Sequence, residues 1–384
     1  EVLSNDLCSL KPNEDKLAFS AIFELDASGV VQKSWFGKTV INSNHRFTYE
    51  SAQESILGKN ELYKAELQTL NKIAKTMLAK RSEKGAISFE QDEVKFVLDE
   101  NGKPLRVIRK VRFDAHKLIE EFMLLANQEV ARYINKIHKP KHKNDRPLFL
   151  YRIHDVPDYE KIAELSIFVK ALGHELPLKD GHVTGRDLNA LFQKIEGKAE
   201  EGIVKTAAIR SMAKAIYSIK NIGHYGLAFD YYTHFTSPIR RYPDTLVHRL
   251  LQNYLDGKTA SQQEFSFYEK MSSHSTEMEI KASDAERESI KLKQVEFMQD
   301  KIGQTFDGII SGVTEWGMYL EEKETKSEGM VRLRDMKDDY YKLDTKKYCL
   351  VGERTKKKYQ LGDSVRFKIV ATDIERKTLD FQLI

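Results

Sequence analysis

Hydrophobic and polar positions follow two different periods along the chain, and each period predicts its own kind of element. The segment AFSAIFELDASGVVQKSWFGKTVI, residues 18–41, alternates apolar and polar side chains on both sides of a Ser-Gly turn, which predicts a β-hairpin. Residues 94–111, VKFVLDENGKPLRVIRKV, do the same around an Asn-Gly turn. Residues 60–84 and residues 114–138 instead have apolar side chains at helical spacing, which predicts two helices. Gly85 ends the first of these patterns.

The end of the chain is rich in strands and differs from the rest. Helical and basic segments alternate up to a long charged helix over residues 275–299. From residue 303 to 384, short strands are separated by Gly and Asp turns, and about five strands in this length predict a small closed barrel of the OB type. Alternation over residues 316–320 places neighbouring side chains on opposite sides of the barrel wall. We therefore expect an α+β fold, with a mixed α/β domain over residues 1–300 and an all-β OB barrel over residues 301–384.

The composition favours a folded protein in a reducing compartment. With 384 residues and 41% hydrophobic side chains, the chain is long enough for one large core and an appended module. Cys8 and Cys349 lie far apart without a metal-binding spacing, which favours the cytoplasm. No apolar run reaches the ~20 residues that cross a bilayer, so we expect no membrane partner. The start, EVLSNDLCSL, has neither a signal-peptide pattern nor an initiator Met, which predicts a fragment whose natural N-terminus lies upstream.

Charge is distributed unevenly along a nearly neutral chain. The formal net charge is only +4. Basic residues nevertheless concentrate in residues 136–146, 205–220 and 346–358. Such separated basic runs indicate a path for a polyanion, because each Lys or Arg that meets a phosphate releases counterions. A solvated lysine face is the alternative interpretation of each single run.

The segment THFTSPIRRYPD, residues 233–244, holds two arginines on a turn with a restricted backbone. Pro238 fixes its own φ and limits the residue before it, so Arg240 and Arg241 leave a stiff support. A guanidinium offers a planar pair of donors to phosphate oxygens, so a turn that aims Arg240 at one point suits the stabilisation of a phosphoryl group. The alternative is an ion pair of either arginine with Asp244.

Four other side chains have both a structural and a functional interpretation. Glu120 and Glu121 are neighbours on the helix predicted over residues 114–138, so only one of them can face away from the apolar stripe. A catalytic pair of carboxylates is therefore not expected from these two residues. On pattern alone, Tyr49 in FTYE and Phe89 in ISFE are typical of core aromatics, with base stacking as the alternative.

The order of the sequence motifs resembles that of the bacterial ribonuclease R / ribonuclease II family. The motifs are LSNDLCSLKPNEDKLAFS, FTYE, GAISFE, DAHKLIEEFMLLAN, YRIHD, HYGLAFDYYTHFTSPIRRYPDTLVHRLL, AERES, DDYY and LDFQLI. The likeness covers nearly the whole chain, and HFTSPIRRYPD is a highly specific block within it. In detail the motifs are more similar to those of ribonuclease R than to those of ribonuclease II.

The resemblance implies both a fold and an activity. Residues 1–300 would be most of the RNB exoribonuclease domain, truncated at its N-terminus, and residues 301–384 the S-one type RNA-binding domain, itself an OB barrel. The implied activity is processive hydrolysis of single-stranded RNA from the 3′ end, which releases nucleoside 5′-monophosphates with Mg²⁺. We expect such a protein to be cytoplasmic and monomeric, with single-stranded RNA as its partner.

The resemblance also implies a role for each arginine of the stiff turn. Arg240 is similar to the arginine that contacts the scissile phosphate and stabilises its transition state. One positioned donor of this kind typically contributes ~3 to 4 kcal/mol. Its neighbour Arg241 is assigned to RNA binding.

Four further residues obtain RNA-binding roles from the resemblance. Tyr49 and Glu120 are similar to the pair that contacts the ribose 2′-hydroxyl, the group that separates RNA from DNA. Phe89 resembles the aromatic that stacks on a terminal base, where stacking contributes ~1 to 3 kcal/mol without reading the sequence. Glu286, in AERES, resembles the acid near the 3′ nucleotide.

The family's metal ligands do not occur in this sequence. Ribonucleases of this group hold their metals with aspartates spaced Asp, five residues, Asp, one residue, Asp, Asp, which the resemblance places upstream of Glu1. The acidic segment KDDYYKLD at Lys337 belongs to the barrel, and the spacings of His224, His234 and His248 fit no local ligand motif. Because two-metal hydrolysis needs carboxylate ligands, we expect this chain to be an inactive fragment of an active protein.

Two other functions are alternatives to an exoribonuclease. The first is a non-catalytic RNA-binding protein that uses the same channel and the same barrel. The second is a DNA nuclease, which the assignment of Tyr49 and Glu120 to the 2′-hydroxyl disfavours.

Overall fold

The computed structural model describes residues 1–88, 94–138, 146–198, 200–258, 260–345 and 348–384. Its contacts divide the chain into two compact units, each built from separate stretches of sequence. Unit 1 consists of Glu1–Ile87, Arg112–Val156 and Lys214–Glu279. Unit 2 consists of Ser88–Val111, Pro157–Ala213 and Ile280–Ile384.

Helices dominate the first two thirds of the chain and strands the last third. The helices are α1 (Tyr49–Ile56), α2 (Lys64–Glu83), α3 (Asp114–Ile137), α4 (Tyr159–Ala171), α5 (Gly185–Ile195), α6 (Glu201–Ser211), α7 (Tyr242–Leu255) and α8 (Gln262–Gln299). The strands are β1 (Asp15–Leu25), β2 (Val31–Asn42), β3 (Val94–Leu98), β4 (Pro104–Arg109), β5 (Tyr151–Ile153), β6 (Ile216–Ser218), β7 (Thr305–Thr314), β8 (Gly317–Glu322), β9 (Glu328–Arg332), β10 (Tyr341–Asp344), β11 (Cys349–Gly352), β12 (Lys358–Gln360), β13 (Ser364–Asp373) and β14 (Thr378–Leu383).

The core of unit 1 joins α3 to the β1–β2 hairpin, the β5 strand and α7. Residues three or four apart on α3 bury one face of the helix, which includes the fully buried Val130 and Ile134. Phe36 of β2, Tyr151 of β5 and Leu246 of α7 belong to the same buried cluster. Replacing a buried isoleucine such as Ile134 by alanine typically costs about 2 to 5 kcal/mol, because a cavity remains.

The predicted hairpins and helices are confirmed. Strands β1 and β2 pair antiparallel, and so do β3 and β4. The turn between β1 and β2 is held by Asp26, whose Oδ1 accepts the backbone N–H of Ser28 at 2.9 Å and of Val30 at 3.0 Å. Helix α2 ends at Glu83. Gly85 follows with φ of 101°, a conformation that L side chains rarely adopt.

Unit 2 contains the predicted barrel. Strands β7, β8, β9, β14 and β13 close in that order, with β14 parallel to β9 at Asp380 and Met330. Its interior is filled by buried apolar side chains that include Met318, Leu320 and Phe367. The chain between β9 and β13 adds an element that the sequence analysis lacked, an antiparallel sheet in the order β10-β11-β12.

The alternation predicted over residues 316–320 begins one residue later than expected. Met318 and Leu320 are fully buried, but the side chain of Trp316 is 76% exposed. Trp316 lies in the turn before β8, which begins at Gly317, so the period of the strand does not extend to it. No helix within the described ranges combines the length and the apolar character that crossing a membrane requires.

Candidate nucleic-acid interface

The turn over residues 237–241 leads directly into α7 and is fixed by a buried carboxylate. Asp244, in the first turn of α7, is fully buried. Its Oδ1 accepts the backbone N–H of Ser237 at 2.7 Å and the Nη2 of Arg241 at 2.8 Å. The ion pair that the sequence left open for either arginine is therefore formed by Arg241. The assignment of Arg241 to RNA binding stays a prediction.

Arg240 has the opposite environment. Its side chain is exposed, and its Nη2 lies 3.5 Å from the Oγ of Ser237, at the outer limit of a hydrogen bond. The backbone beneath it is closed by a hydrogen bond from the N–H of Arg241 to the carbonyl of Ser237 at 3.0 Å. A charged fork on a fixed turn can bind an oxyanion without first ordering its support.

The segment before this turn is held by a buried amide on α3. The Oδ1 of Asn127 accepts the consecutive backbone N–H groups of Phe235 and Thr236, at 2.9 and 3.3 Å. The Nδ2 of Asn127 donates to the hydroxyl of Tyr232 at 3.3 Å. The Oγ1 of Thr233 donates to the carbonyl of Leu150 at 2.6 Å. Side chains and backbone of distant segments thus fix residues 232–236.

Two partly buried histidines, His224 and His234, are kept neutral. The hydroxyl of Tyr217 lies 2.9 Å from Nδ1 of His234. Burial, together with the charges of Arg241 and Arg152, lowers the pKa of His234 to about 2. Burial and the nearby His154 lower the pKa of His224 to about 3. Neither imidazole therefore adds positive charge to this region at neutral pH.

No metal site is formed by the residues that the structure describes. Among them, no three His, Cys, Asp or Glu side chains stand together where they could hold an ion. The Nε2 of His248 instead bonds the carbonyl of Phe235 at 2.8 Å. Mg²⁺ is held by clustered carboxylate oxygens, and the described residues offer no such cluster, so they do not fit that metal.

A second cluster forms where α1 meets the first turns of α3. Tyr49 is the first residue of α1, which begins after Thr48 as N-cap. The ring of Tyr49 stacks on His116 with a centroid distance of 3.8 Å and an interplanar angle of 12°. Because Glu120 follows His116 by four residues on α3, both share one helix face. Tyr49 therefore packs on a residue that precedes Glu120 by about one helical turn of α3.

The two neighbouring glutamates have different environments. Glu121 has 5% of its side chain exposed and pairs with the partly buried Arg81 of α2. Glu120 has 43% of its side chain exposed and pairs with Arg112. Only Glu120 is therefore accessible to a ligand, which fits the expectation that one of the two faces away from the apolar stripe.

The structure does not place the two remaining predicted site residues, Glu286 and Phe89, with these clusters of unit 1. Glu286 is exposed on α8 and belongs to unit 2, whereas Arg240, Tyr49 and Glu120 belong to unit 1. Phe89 lies outside the described residues. Its proposed stacking role and that of Glu286 near the 3′ nucleotide stay predictions.

Sequence reasoning missed three residues of these clusters, namely Arg112, His116 and Asn127. Asn127 had a detectable signal, because a polar side chain on the buried face of an amphipathic helix requires hydrogen-bond partners. His116 had a weaker signal, since it precedes Glu120 by one helical turn. The partner of Arg112 depends on the start of α3, and no signal in the sequence points to it.

Two family models match separate parts of the sequence. The model of the RNB domain matches residues 1–257, and that of the S1 RNA binding domain matches residues 299–383. The chain belongs to the RNB domain family. The RNB region followed by a β-barrel also confirms the predicted fold class.

Curated and solved relatives agree with this assignment. The chain is similar to ribonuclease R of Aquifex aeolicus, with 37% identity over 391 residues that cover 100% of this chain and 54% of that protein. It spans about half the length of the curated relatives it matches.

Solved RNB structures have the same fold. A structure of Mycoplasma genitalium RNase R in complex with ribose methylated single-stranded RNA is 27% identical, with a TM-score of 0.89, over 100% of this chain and 60% of that one. Yeast Ssd1, a pseudonuclease, shares the fold at 20% identity and a TM-score of 0.71, over 91% of this chain and 43% of that one.

Proposed function

We propose that the complete protein is a processive, hydrolytic 3′-to-5′ exoribonuclease that degrades single-stranded RNA to nucleoside 5′-monophosphates. The observation that carries the proposal is the contrast between two adjacent arginines. Arg241 is locked onto Asp244, while Arg240 is exposed on the turn that this pair fixes. Membership of the RNB domain family and relatives named ribonuclease R support the reaction class.

Arg240 supplies the electrostatic part of the reaction. Its guanidinium binds the non-bridging oxygens of the scissile phosphate and stabilises the negative charge that grows there in the transition state. The turn is already ordered, so little reorganisation is needed when the substrate arrives. Arg241 is assigned to RNA binding rather than to the chemical step, and its pair with Asp244 holds the turn that supports Arg240.

Sugar and base contacts lie along the same RNA strand. Tyr49 and Glu120 bind the ribose 2′-hydroxyl, which gives the preference for RNA over DNA. Phe89 stacks on a terminal base, and Glu286 lies near the 3′ nucleotide. The barrel over residues 301–384 binds single-stranded RNA, in keeping with the matching S1 RNA binding domain.

Mg²⁺ is the proposed metal of the complete protein. When bound, it would supply Lewis-acid activation and neutralise phosphate charge. We propose that carboxylates upstream of Glu1 are its ligands. We also propose a monomeric protein in the cytoplasm, where the thiols of Cys8 and Cys349 would remain reduced.

The second candidate function is RNA binding without chemistry. Yeast Ssd1 shares this fold and is a pseudonuclease, so the architecture occurs without nuclease activity. Such a protein would hold RNA with the same barrel and with the turn over residues 237–241, which we call the arginine turn. It would leave the length of the bound RNA unchanged.

Incubation of the complete protein with a 5′-labelled single-stranded RNA separates the two functions. We expect a ladder that shortens from the 3′ end with Mg²⁺ and no shortening with EDTA. Tight binding without shortening in either buffer would establish the non-catalytic function instead. For the 384-residue chain assayed alone we expect binding without shortening. Stepwise Mg²⁺-dependent shortening by this chain would contradict the assignment of the ligands to upstream residues.

A further inference from the structure

We propose that Asn127 is a positioning residue for Arg240 and acts through the backbone that leads into the arginine turn. The inference rests on the proposed exoribonuclease function for its catalytic consequence. Independently of that function, the hydrogen bonds of unit 1 support the statement that the amide of Asn127 sets the conformation of residues 235–241.

Asn127 directs both the oxygen and the nitrogen of its side-chain amide to one distant segment, residues 232–236. The residue is buried, and its Oδ1 accepts two consecutive backbone N–H groups, those of Phe235 and Thr236. Its Nδ2 donates to the hydroxyl of Tyr232. A buried N–H group without a partner costs about 1 to 3 kcal/mol. The observed path of residues 235–236 therefore depends on this amide oxygen.

The same segment is held from its other side by α7. The carbonyl of Phe235 is bonded by Nε2 of His248 at 2.8 Å, and the N–H of Ser237 by Oδ1 of Asp244 at 2.7 Å. Asn127 on α3 and two side chains of α7 thus form a clamp around residues 235–237. We call this set, Asn127, His248 and Asp244, the turn clamp.

Arg240 lies three positions after Ser237, the last residue that the turn clamp holds, and the backbone between them has restricted freedom. Pro238 has a fixed φ, and its carbonyl accepts the Oγ1 of Thr245 at 3.2 Å. The N–H of Arg241 closes the turn onto the carbonyl of Ser237. A shift at Thr236 is therefore passed on to Arg240 rather than absorbed by a loose loop. Misplacement of a reacting group by about 1 Å costs on the order of 100-fold in rate.

Helix α3 offers a matched control at Asn135, eight positions later on the helix. The Nδ2 of Asn135 donates to the hydroxyl of Tyr151 at 2.8 Å and to the carbonyl of Ala131 at 2.9 Å. Like Asn127, it joins α3 to a tyrosine hydroxyl of another segment. Unlike Asn127, its hydrogen bonds go to groups outside residues 232–241. A loss of stability alone should affect both positions, whereas a loss of positioning should affect only Asn127.

The first arm measures turnover in the complete protein. We expect Asn127→Leu to lower kcat on single-stranded RNA about 10- to 100-fold, while the RNA dissociation constant stays within about twofold. Asn135→Leu should leave kcat unchanged. Asn127→Asp keeps an oxygen acceptor for both N–H groups and should restore most of the kcat. If the leucine variant does not fold, Asn127→Ser, which leaves room for a bridging water, replaces it.

The second arm measures hydrogen exchange in the same variants and does not depend on activity. We expect Asn127→Leu to accelerate exchange of the amides in residues 235–237, and Asn135→Leu to leave them protected. Unchanged exchange in the Asn127 variant would overturn the clamp. Equal kcat losses for the two asparagine variants would overturn the positioning role. If the wild type does not shorten RNA, the exoribonuclease function fails, and the exchange arm still decides whether Asn127 orders the turn.

Discussion

At the scale of single residues, neighbours in sequence have different tasks because their environments differ. Arg241 is partly buried against the fully buried Asp244, and Arg240 is exposed. Charge and chemistry are the same in both arginines. Only the partner decides which guanidinium remains available to a phosphate.

Replacement of Arg240 by alanine in the complete protein should lower turnover and leave binding nearly intact. The expected loss in kcat is about 10²- to 10³-fold, the typical effect of removing one transition-state donor. Kinetics on single-stranded RNA, together with a binding titration, measure both quantities. Losses of equal size in kcat and in affinity would contradict a transition-state role.

The matched variant Arg241→Ala should act on stability. It leaves the carboxylate of Asp244 buried without its cation, which typically costs about 3 to 5 kcal/mol. Denaturant unfolding measures this loss. A stable Arg241→Ala variant would show that Asp244 has another source of compensation.

Glu120 and Glu121 test whether the environment, rather than the residue type, assigns a role in RNA recognition or in stability. Glu120→Gln should reduce the preference for RNA over DNA about tenfold or more, since a hydrogen bond to a charged group contributes ~1.5 to 3 kcal/mol. Competition between RNA and DNA oligomers of one sequence measures the preference. Glu121→Gln should instead lower the free energy of unfolding, because it removes the partner of the partly buried Arg81. A changed RNA preference in the Glu121 variant would contradict this division of roles.

At the scale of elements, the residue at which a strand begins decides which side chains of an alternating pattern are buried. Trp316 and Met318 are two positions apart, yet the first lies in a turn and the second fills the barrel. The prediction of a closed barrel is confirmed because alternation over several strands is enough to define an interior. The position where β8 begins was not predictable, since it depends on the pairing of Gly317 with Arg332 of β9.

Alanine substitutions at these two positions should separate RNA binding from stability. Trp316→Ala should weaken the binding of single-stranded RNA by about 1 to 3 kcal/mol, the usual contribution of one stacked base, with little effect on unfolding. Met318→Ala should cost about 2 to 5 kcal/mol of stability, because it leaves a cavity in the barrel. Binding titrations and denaturant unfolding measure both effects. Unchanged RNA affinity in the Trp316 variant would exclude this side of the barrel from the RNA path.

At the scale of the whole molecule, the partly buried His224 and His234 make stability depend on pH. His224 and His234 have pKa values of about 3 and about 2 in the folded protein, against about 6.5 in the unfolded chain. Between these values the unfolded chain binds protons that the folded chain does not bind. Stability therefore falls as the pH decreases below about 6.5, by about 1.4 kcal/mol per pH unit for each histidine.

Urea unfolding at pH 7.5 and pH 5 tests this dependence. We expect a lower free energy of unfolding at pH 5, and a smaller difference between the two pH values in the variant His234→Gln, which no longer titrates at this position. The hydroxyl of Tyr217 can donate to a glutamine oxygen, so the variant should fold. Equal pH dependence in the wild type and the variant would show that His234 does not contribute.

Elements with local signals could be predicted from the amino-acid sequence. Alternation and turn residues predicted both hairpins, helical spacing predicted α2 and α3, and the strand-rich end predicted the closed barrel. The motif order also predicted the family that the comparison with known proteins establishes. These signals can be recognised in the sequence because the apolar positions of a strand or a helix recur every few residues.

The tertiary structure alone decided which members of the candidate site are accessible and what holds them. Glu121 meets Arg81, which lies 40 residues away in sequence, and Asn127 meets Phe235, which lies 108 residues away. No local pattern encodes such pairs, because the partners become neighbours only when α2, α3 and the arginine turn pack together. Burial then fixes Glu121, Asn127 and Asp244 in structural roles, and it leaves Glu120 and Arg240 exposed to a ligand.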